Sequence, residues 1–131
     1  MDDTFFRPAD SVRARVAPTE MTPPRGSPLR GEVHDENAYA LGGVAGHGGL
    51  FSTAEDLALF AQMMLNGGED NGTRILADST VALFTKRAAG TRALGWDSGE
   101  GGGAGSGRYL SDQAYGHTGY TGTSMWIDPT R

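Results

Sequence analysis

Tyr115-Gly116-His117-Thr118-Gly119-Tyr120-Thr121-Gly122-Thr123-Ser124-Met125-Trp126-Ile127 is the stretch whose reading decides the fold. It is dense in aromatic and β-branched residues, which suit a pleated, half-buried surface, so it reads as strands. Gly119 and Gly122 bend or expose those strands. Its polar triplet His117-Thr118-Gly119 also carries chemistry. Gly119 removes a Cβ where a substrate would approach, and the Tyr120 backbone N–H after it can point at a developing oxyanion. Thr118 offers a hydroxyl, and His117 a proton donor or partial positive charge. On chemistry alone the segment fits a substrate wall and a plain β-turn equally well.

Working outward, Ala93-Leu94-Gly95-Trp96 reads as a further strand, followed by a Gly/Ser loop from Gly99 to Gly107. That loop includes Gly99-Glu100-Gly101-Gly102-Gly103-Ala104, a formal match to the dinucleotide pattern. The pattern works only when a helix opens inside it, and no helical periodicity follows, so no cofactor is expected. Ser79 to Arg87 reads as a helix capped by Asp78 or Ser79, with Val81, Phe84 and Leu83 toward the core. Asn71-Gly72 is a turn signal.

The clearest helix spans 53 to 66. Leu57, Phe60, Ala61 and Met64 fall at i, i+3, i+4, i+7, Ser52 and Glu55 form a capping-box pair, and Gly67-Gly68 can end it. Five glycines between Gly42 and Gly49 precede it. Val12 to Ala17 alternates apolar and charged residues, which fits a short strand. Pro18, Pro23, Pro24 and Pro28 then forbid regular structure up to Leu29, leaving either an ordered surface crossing or a disordered linker.

The 131 residues allow one modest domain, and a net charge of −5 with interspersed signs argues against a nucleic-acid partner. The absence of cysteine excludes disulfides, thiolate catalysis and Cys-based zinc sites. His34-Asp35-Glu36, His47 and His117 could be read as a metal set, but no His pair sits at helix-face spacing. Hydrogen bonding is therefore their expected role, and no metal is expected. The opening Met1-Asp2-Asp3 is acidic without an apolar signal-peptide segment, and no apolar run approaches the roughly 20 residues of a membrane span. Neither Gly-x-Ser-x-Gly nor Ser-x-x-Lys occurs; three places before the single lysine, Lys86, stands Leu83.

Three separated segments together resemble a known family. Serine β-lactamases and penicillin-binding proteins use Ser-x-x-Lys, a Tyr- or Ser-based second motif and a late Lys-Thr-Gly strand. Many relatives carry His in place of that Lys, and His117-Thr118-Gly119 matches the variant. Gly42 to Leu57 is similar to the loop and helix start of class C-like members, and Val33-His34-Asp35-Glu36-Asn37-Ala38 and Gly95-Trp96 fit the same subgroup.

The resemblance implies an α+β fold, a partial β-lactamase/transpeptidase-like domain over residues 1–131 with antiparallel strands and two helices. It implies a serine hydrolase of esterase, D-Ala-D-Ala peptidase or β-lactamase type, acting on a small-molecule or peptide acyl substrate through an acyl-enzyme. In it His117 would orient substrate and assist proton movement, Thr118 would contact the substrate's carbonyl or carboxylate side, and the Tyr120 N–H would be one oxyanion donor. An imidazole grips a substrate carboxylate less firmly than a lysine ammonium, which favours esterase or peptidase action. The Gly42–Gly49 loop and the helix at Ser52 would be scaffold.

The departures from the pattern are equally informative. The nucleophilic Ser and its Lys would lie upstream of Met1, and further strands and a closing helix would follow Pro129, so the chain is expected to be an internal piece, inactive alone. Strand edges left open by this would invite self-association. Ser111-Asp112-Gln113 lies too close to His117 to be the second motif and is expected to be a decoy. The family resemblance favours a periplasmic or extracellular location. The alternatives are a non-catalytic ligand-binding module derived from the same fold and, further behind, a His/Asp/Glu metal protein.

Overall fold

The computed structural model describes residues 1–21, 23–25, 28–99 and 107–131. The chain is α+β and divides into two compact units, Met1–Leu57 and Ala58–Arg131. The Gly/Ser loop at positions 100–106, with its formal dinucleotide pattern, lies outside the described residues.

In the first unit β1 (Phe5–Phe6) pairs antiparallel with β2 (Leu50–Phe51), Phe5 facing Phe51. Between them α1 (Asp10–Arg13) stands where apolar–charged alternation suggested a strand. The reason is local. Val12 N–H donates to Ala9 O, Arg15 N–H to Val12 O and Val16 N–H to Arg13 O, so consecutive turns consume the groups that a strand would offer a neighbour. The proline-rich residues carry no helix or strand among the described positions. They are tied down instead: Thr19 N–H donates to Leu29 O, and the Arg25 guanidinium donates to the carbonyls of Val33 and His34 while lying 4.5 Å over the Tyr39 ring.

A short helix that the periodicity had not suggested, α2 (Glu36–Ala40), is capped by Asp35, whose side chain accepts from Ala38 N–H at 2.7 Å. That bond, followed by one from His47, holds the Asp35 carboxyl below its ordinary range. α3 (Ala54–Leu65) runs as the apolar spacing predicts, but its cap differs. Thr53 Oγ1, one residue beyond Ser52, accepts from Asp56 N–H at 3.2 Å. Ser52 Oγ is instead within 2.7 Å of Thr4 Oγ1. The nearby Asp56 carboxylate is buried and satisfied, accepting from Asp3 N–H at 2.9 Å and Thr4 Oγ1 at 2.7 Å.

The second unit holds the hairpin of β3 (Glu69–Asp70) and β4 (Thr73–Arg74), turned at Asn71 and Gly72 with φ of 47° and 79°. Positive φ at both central residues is the primed turn that Asn-Gly favours. α4 (Asp78–Thr85) follows, with Ala77 at its N-cap and no side-chain cap from Asp78 or Ser79. Asp78 lies inside the first turn, where its charge faces the helix N-terminus. Only Val81 of its apolar residues is buried; Leu83 and Phe84 are exposed, contrary to the expectation for both.

A three-stranded antiparallel sheet completes the unit in the order β5 (Asp97–Ser98), β6 (Tyr115–Thr118), β7 (Ser124–Ile127). β5 begins after the predicted Ala93–Trp96 strand: Ala93 N–H donates to Trp96 O, which closes a bend there before pairing starts. Met63, Met64, Val81, Tyr115 and Ile127 form the core, packed with Phe60, Ala61, Leu76, Trp96 and Met125. Trp96 links them, stacking on Phe60 at 6.3 Å and meeting Tyr115 edge-on at 5.3 Å. This burial raises the Tyr115 hydroxyl pKa above its ordinary value.

Candidate active site

Strand β6 divides at its midpoint. Tyr115 and Gly116 are buried, and His117 and Thr118 are exposed. The buried half explains Gly116, since a Cβ there would overlap Met125 O and the Trp126 ring, which lie across it. The exposed half presents the predicted triplet at the strand end, His117 opposite Met125 and Thr118 opposite Ser124. Gly119 opens the turn to β7: its N–H donates to Thr123 O at 2.6 Å, and a Cβ on it would collide with Thr123 Oγ1. A side chain at position 119 would therefore have to displace the Thr123 hydroxyl. Tyr120 lies at the turn with 90% of its surface exposed.

His117 has a partner on each ring nitrogen. Nδ1 lies 2.7 Å from Thr118 O, and Nε2 lies 3.2 Å from Arg92 Nη1. The same Arg92 nitrogen pairs with Asp97 Oδ1 at 2.9 Å, Asp97 being only 16% exposed. The β5–β6 pairing sets Asp97 opposite Gly116, next to His117 along the strand. Arg92 was not among the candidates read from the sequence. It precedes His117 by 25 residues, and no spacing rule joins them.

The other candidates have structural partners. His47 Nε2 lies 2.9 Å from Asp35 Oδ1, and His34 Nε2 lies 2.9 Å from Glu20 Oε1. Among the described residues no three His, Cys, Asp or Glu side chains gather in a way that could hold a metal ion. Ser111 donates to Asp128 through both its N–H, at 2.8 Å, and its Oγ, at 2.7 Å. Those bonds, with two more from Thr130, hold the Asp128 carboxyl far below the usual carboxylate range. The Ser111 hydroxyl thus fastens the approach to β6 onto the end of β7. A cleft of about 560 Å³ lies in the first unit, lined by Arg7, Arg13, Tyr39 and Phe51 among others. None of His117, Thr118, Gly119 or Tyr120 lines it.

An exposed polar triplet ending a strand, braced by an arginine–carboxylate pair, is the kind of wall against which an acyl group can be positioned. The β-lactamase family model matches residues 1–131, and the chain belongs to that family. Over 112 residues, 80% of this chain, it is 47% identical to a protein named "Putative D-alanyl-D-alanine carboxypeptidase" from Salmonella paratyphi B. It has the same likeness to proteins of that name from Salmonella newport and Salmonella heidelberg. The chain spans about a quarter of these relatives' length, 26% of each. No helix among the described residues is long and apolar enough to cross a membrane.

Proposed function

We propose that this chain is the substrate-wall part of a serine hydrolase that cleaves an ester or amide through an acyl-enzyme. The observation that carries the reading is His117-Thr118-Gly119 exposed at the end of β6, inside a chain of this family. His117 orients the substrate and assists proton movement, Thr118 contacts its carbonyl or carboxylate side, and the Tyr120 N–H serves as one oxyanion donor. The name carried by the Salmonella relatives, together with histidine in place of a lysine ammonium, favours D-Ala-D-Ala peptidase or esterase action over β-lactam hydrolysis. Residues 1–131 act as one partial domain of the enzyme. The sequence holds no Ser-x-x-Lys, so the chain alone is inactive, and the nucleophile comes from a segment outside it.

The test is covalent trapping. The complete gene product is treated with a fluorophosphonate or penicillin probe, and the labelled residue is identified. Labelling of a serine in a Ser-x-x-Lys motif is expected, with none on residues 1–131. A product that labels nowhere yet binds acyl or peptide ligands reversibly would replace the hydrolase with a binding module.

A further inference from the structure

Donor and acceptor chemistry at His117 fixes more than its position. A guanidinium carries only donors, so the contact between Arg92 Nη1 and His117 Nε2 at 3.2 Å requires Nε2 to accept. A carbonyl oxygen only accepts, so the 2.7 Å contact between Nδ1 and Thr118 O requires Nδ1 to carry the hydrogen. Both requirements are met by one species, the uncharged Nδ1–H tautomer. The Asp97 carboxylate, 2.9 Å from the same guanidinium nitrogen and mostly shielded from solvent, anchors Arg92 in that pose.

We infer that Arg92 is a positioning residue which, braced by Asp97, joins the Thr118 carbonyl in holding His117 as the Nδ1–H tautomer. The inference rests on the hydrolase reading only for its meaning in catalysis; the tautomer itself is a property of this strand. Within that reading His117 meets the reaction with an Nε2 lone pair. It accepts a proton or hydrogen bond there once the guanidinium moves aside, and it donates none from that atom. The side-chain donors at this corner are then the Arg92 guanidinium and the Thr118 hydroxyl, beside the Tyr120 N–H.

The remaining histidines provide an internal contrast. Nε2 of His47 and Nε2 of His34 face the carboxylates of Asp35 and Glu20, which accept, so both carry the hydrogen on Nε2. Two opposite signatures should therefore appear in one spectrum.

The experiment is long-range ¹H–¹⁵N correlation of the imidazoles in the full, ¹⁵N-histidine-labelled chain, at a pH where the rings are uncharged. His117 is expected with Nδ1 protonated and Nε2 bare, and His34 and His47 with Nε2 protonated. Arg92→Leu removes the donor facing Nε2 but keeps the Thr118 carbonyl, so it should lower the share of the Nδ1–H form of His117 without abolishing it, leaving the other two unchanged. Arg92→Lys keeps a donor and should restore it, and Asp97→Asn should weaken it. Arg92 is 61% exposed, and its replacement should leave the Trp96 and Tyr115 near-ultraviolet signal intact, a check that the fold survives. A wild-type His117 protonated on Nε2, or an Arg92→Leu spectrum whose Nδ1–H share equals that of the wild type, overturns the inference. Because this spectrum needs no substrate or nucleophile, its failure and the failure of serine labelling are separate results.

Discussion

The two halves of the β6–β7 hairpin share one hydrogen-bond ladder but differ in what surrounds them. At one end Tyr115 and Ile127 face each other and are 4% and 2% exposed. At the other, Thr118 and Ser124 face each other in solvent. The first end joins the core of Met63, Met64 and Val81, so it carries the stability. The second leaves His117 and Thr118 exposed and holds the triplet proposed to face substrate. A four-residue strand thus combines a buried anchor with an exposed end, the end proposed as the substrate wall.

The comparison can be broken most forcefully at the buried end. Ile127→Ala should destabilise the chain by about 2–5 kcal/mol, the usual range for deleting a large buried aliphatic side chain. Urea unfolding at low protein concentration measures this. A loss comparable to that of an exposed substitution would mean that this end does not carry the fold.

Asp128 sits where β7 ends and sharpens the contrast through pH. Its folded-state pKa is depressed, so the stability it contributes is present above the ordinary carboxyl value of about 3.9 and is lost as pH falls through the lowered value. Unfolding curves recorded downward from pH 5 should show an acid limb that Asp128→Asn flattens. An unchanged limb would assign the acid sensitivity to other carboxylates, such as Asp35, or Asp3 beside Arg15.

The smallest effect on stability should come from the exposed end. His117→Ala is expected to change the unfolding free energy by no more than about 0.5 kcal/mol, as for surface positions generally. Acyl turnover by the complete enzyme should meanwhile fall by about 100-fold or more, the usual worth of a positioned proton-transfer group. Parallel urea titrations and kcat/KM measurements separate the two. A large stability loss at His117 would erase the division of labour between the halves.

Much of this arrangement was legible in the sequence, for definable reasons. α3 announces itself through Leu57, Phe60, Ala61 and Met64, because a 3.6-residue period needs no distant partner to be recognised. The Asn71-Gly72 turn is equally local, set by two residues able to take positive φ. Local reading failed where short segments had two local solutions. Residues 12–17 alternate like a strand but close successive turns, and Ala93–Trp96 has strand composition but bends on itself before β5. Phe84 and Leu83 follow Val81 on a regular helix, yet only Val81 meets the core. Which face of α4 is covered depends on what folds against it.

The site divides along the same line. By itself the sequence determined the chemistry on offer: a His-Thr-Gly triplet at a strand end, the strands on either side of it, the helix that backs them and the lack of a Ser-x-x-Lys nucleophile. Only the tertiary structure supplied the donor that faces Nε2 of His117, by bringing Arg92 and Asp97 to it across the β5–β6 pairing. Only the tertiary structure likewise spent the Ser111 hydroxyl on Asp128, 17 residues away. Periodicity and turn chemistry act between near neighbours along the chain, whereas a hydrogen bond across a sheet depends on a register that exists only once the strands have paired.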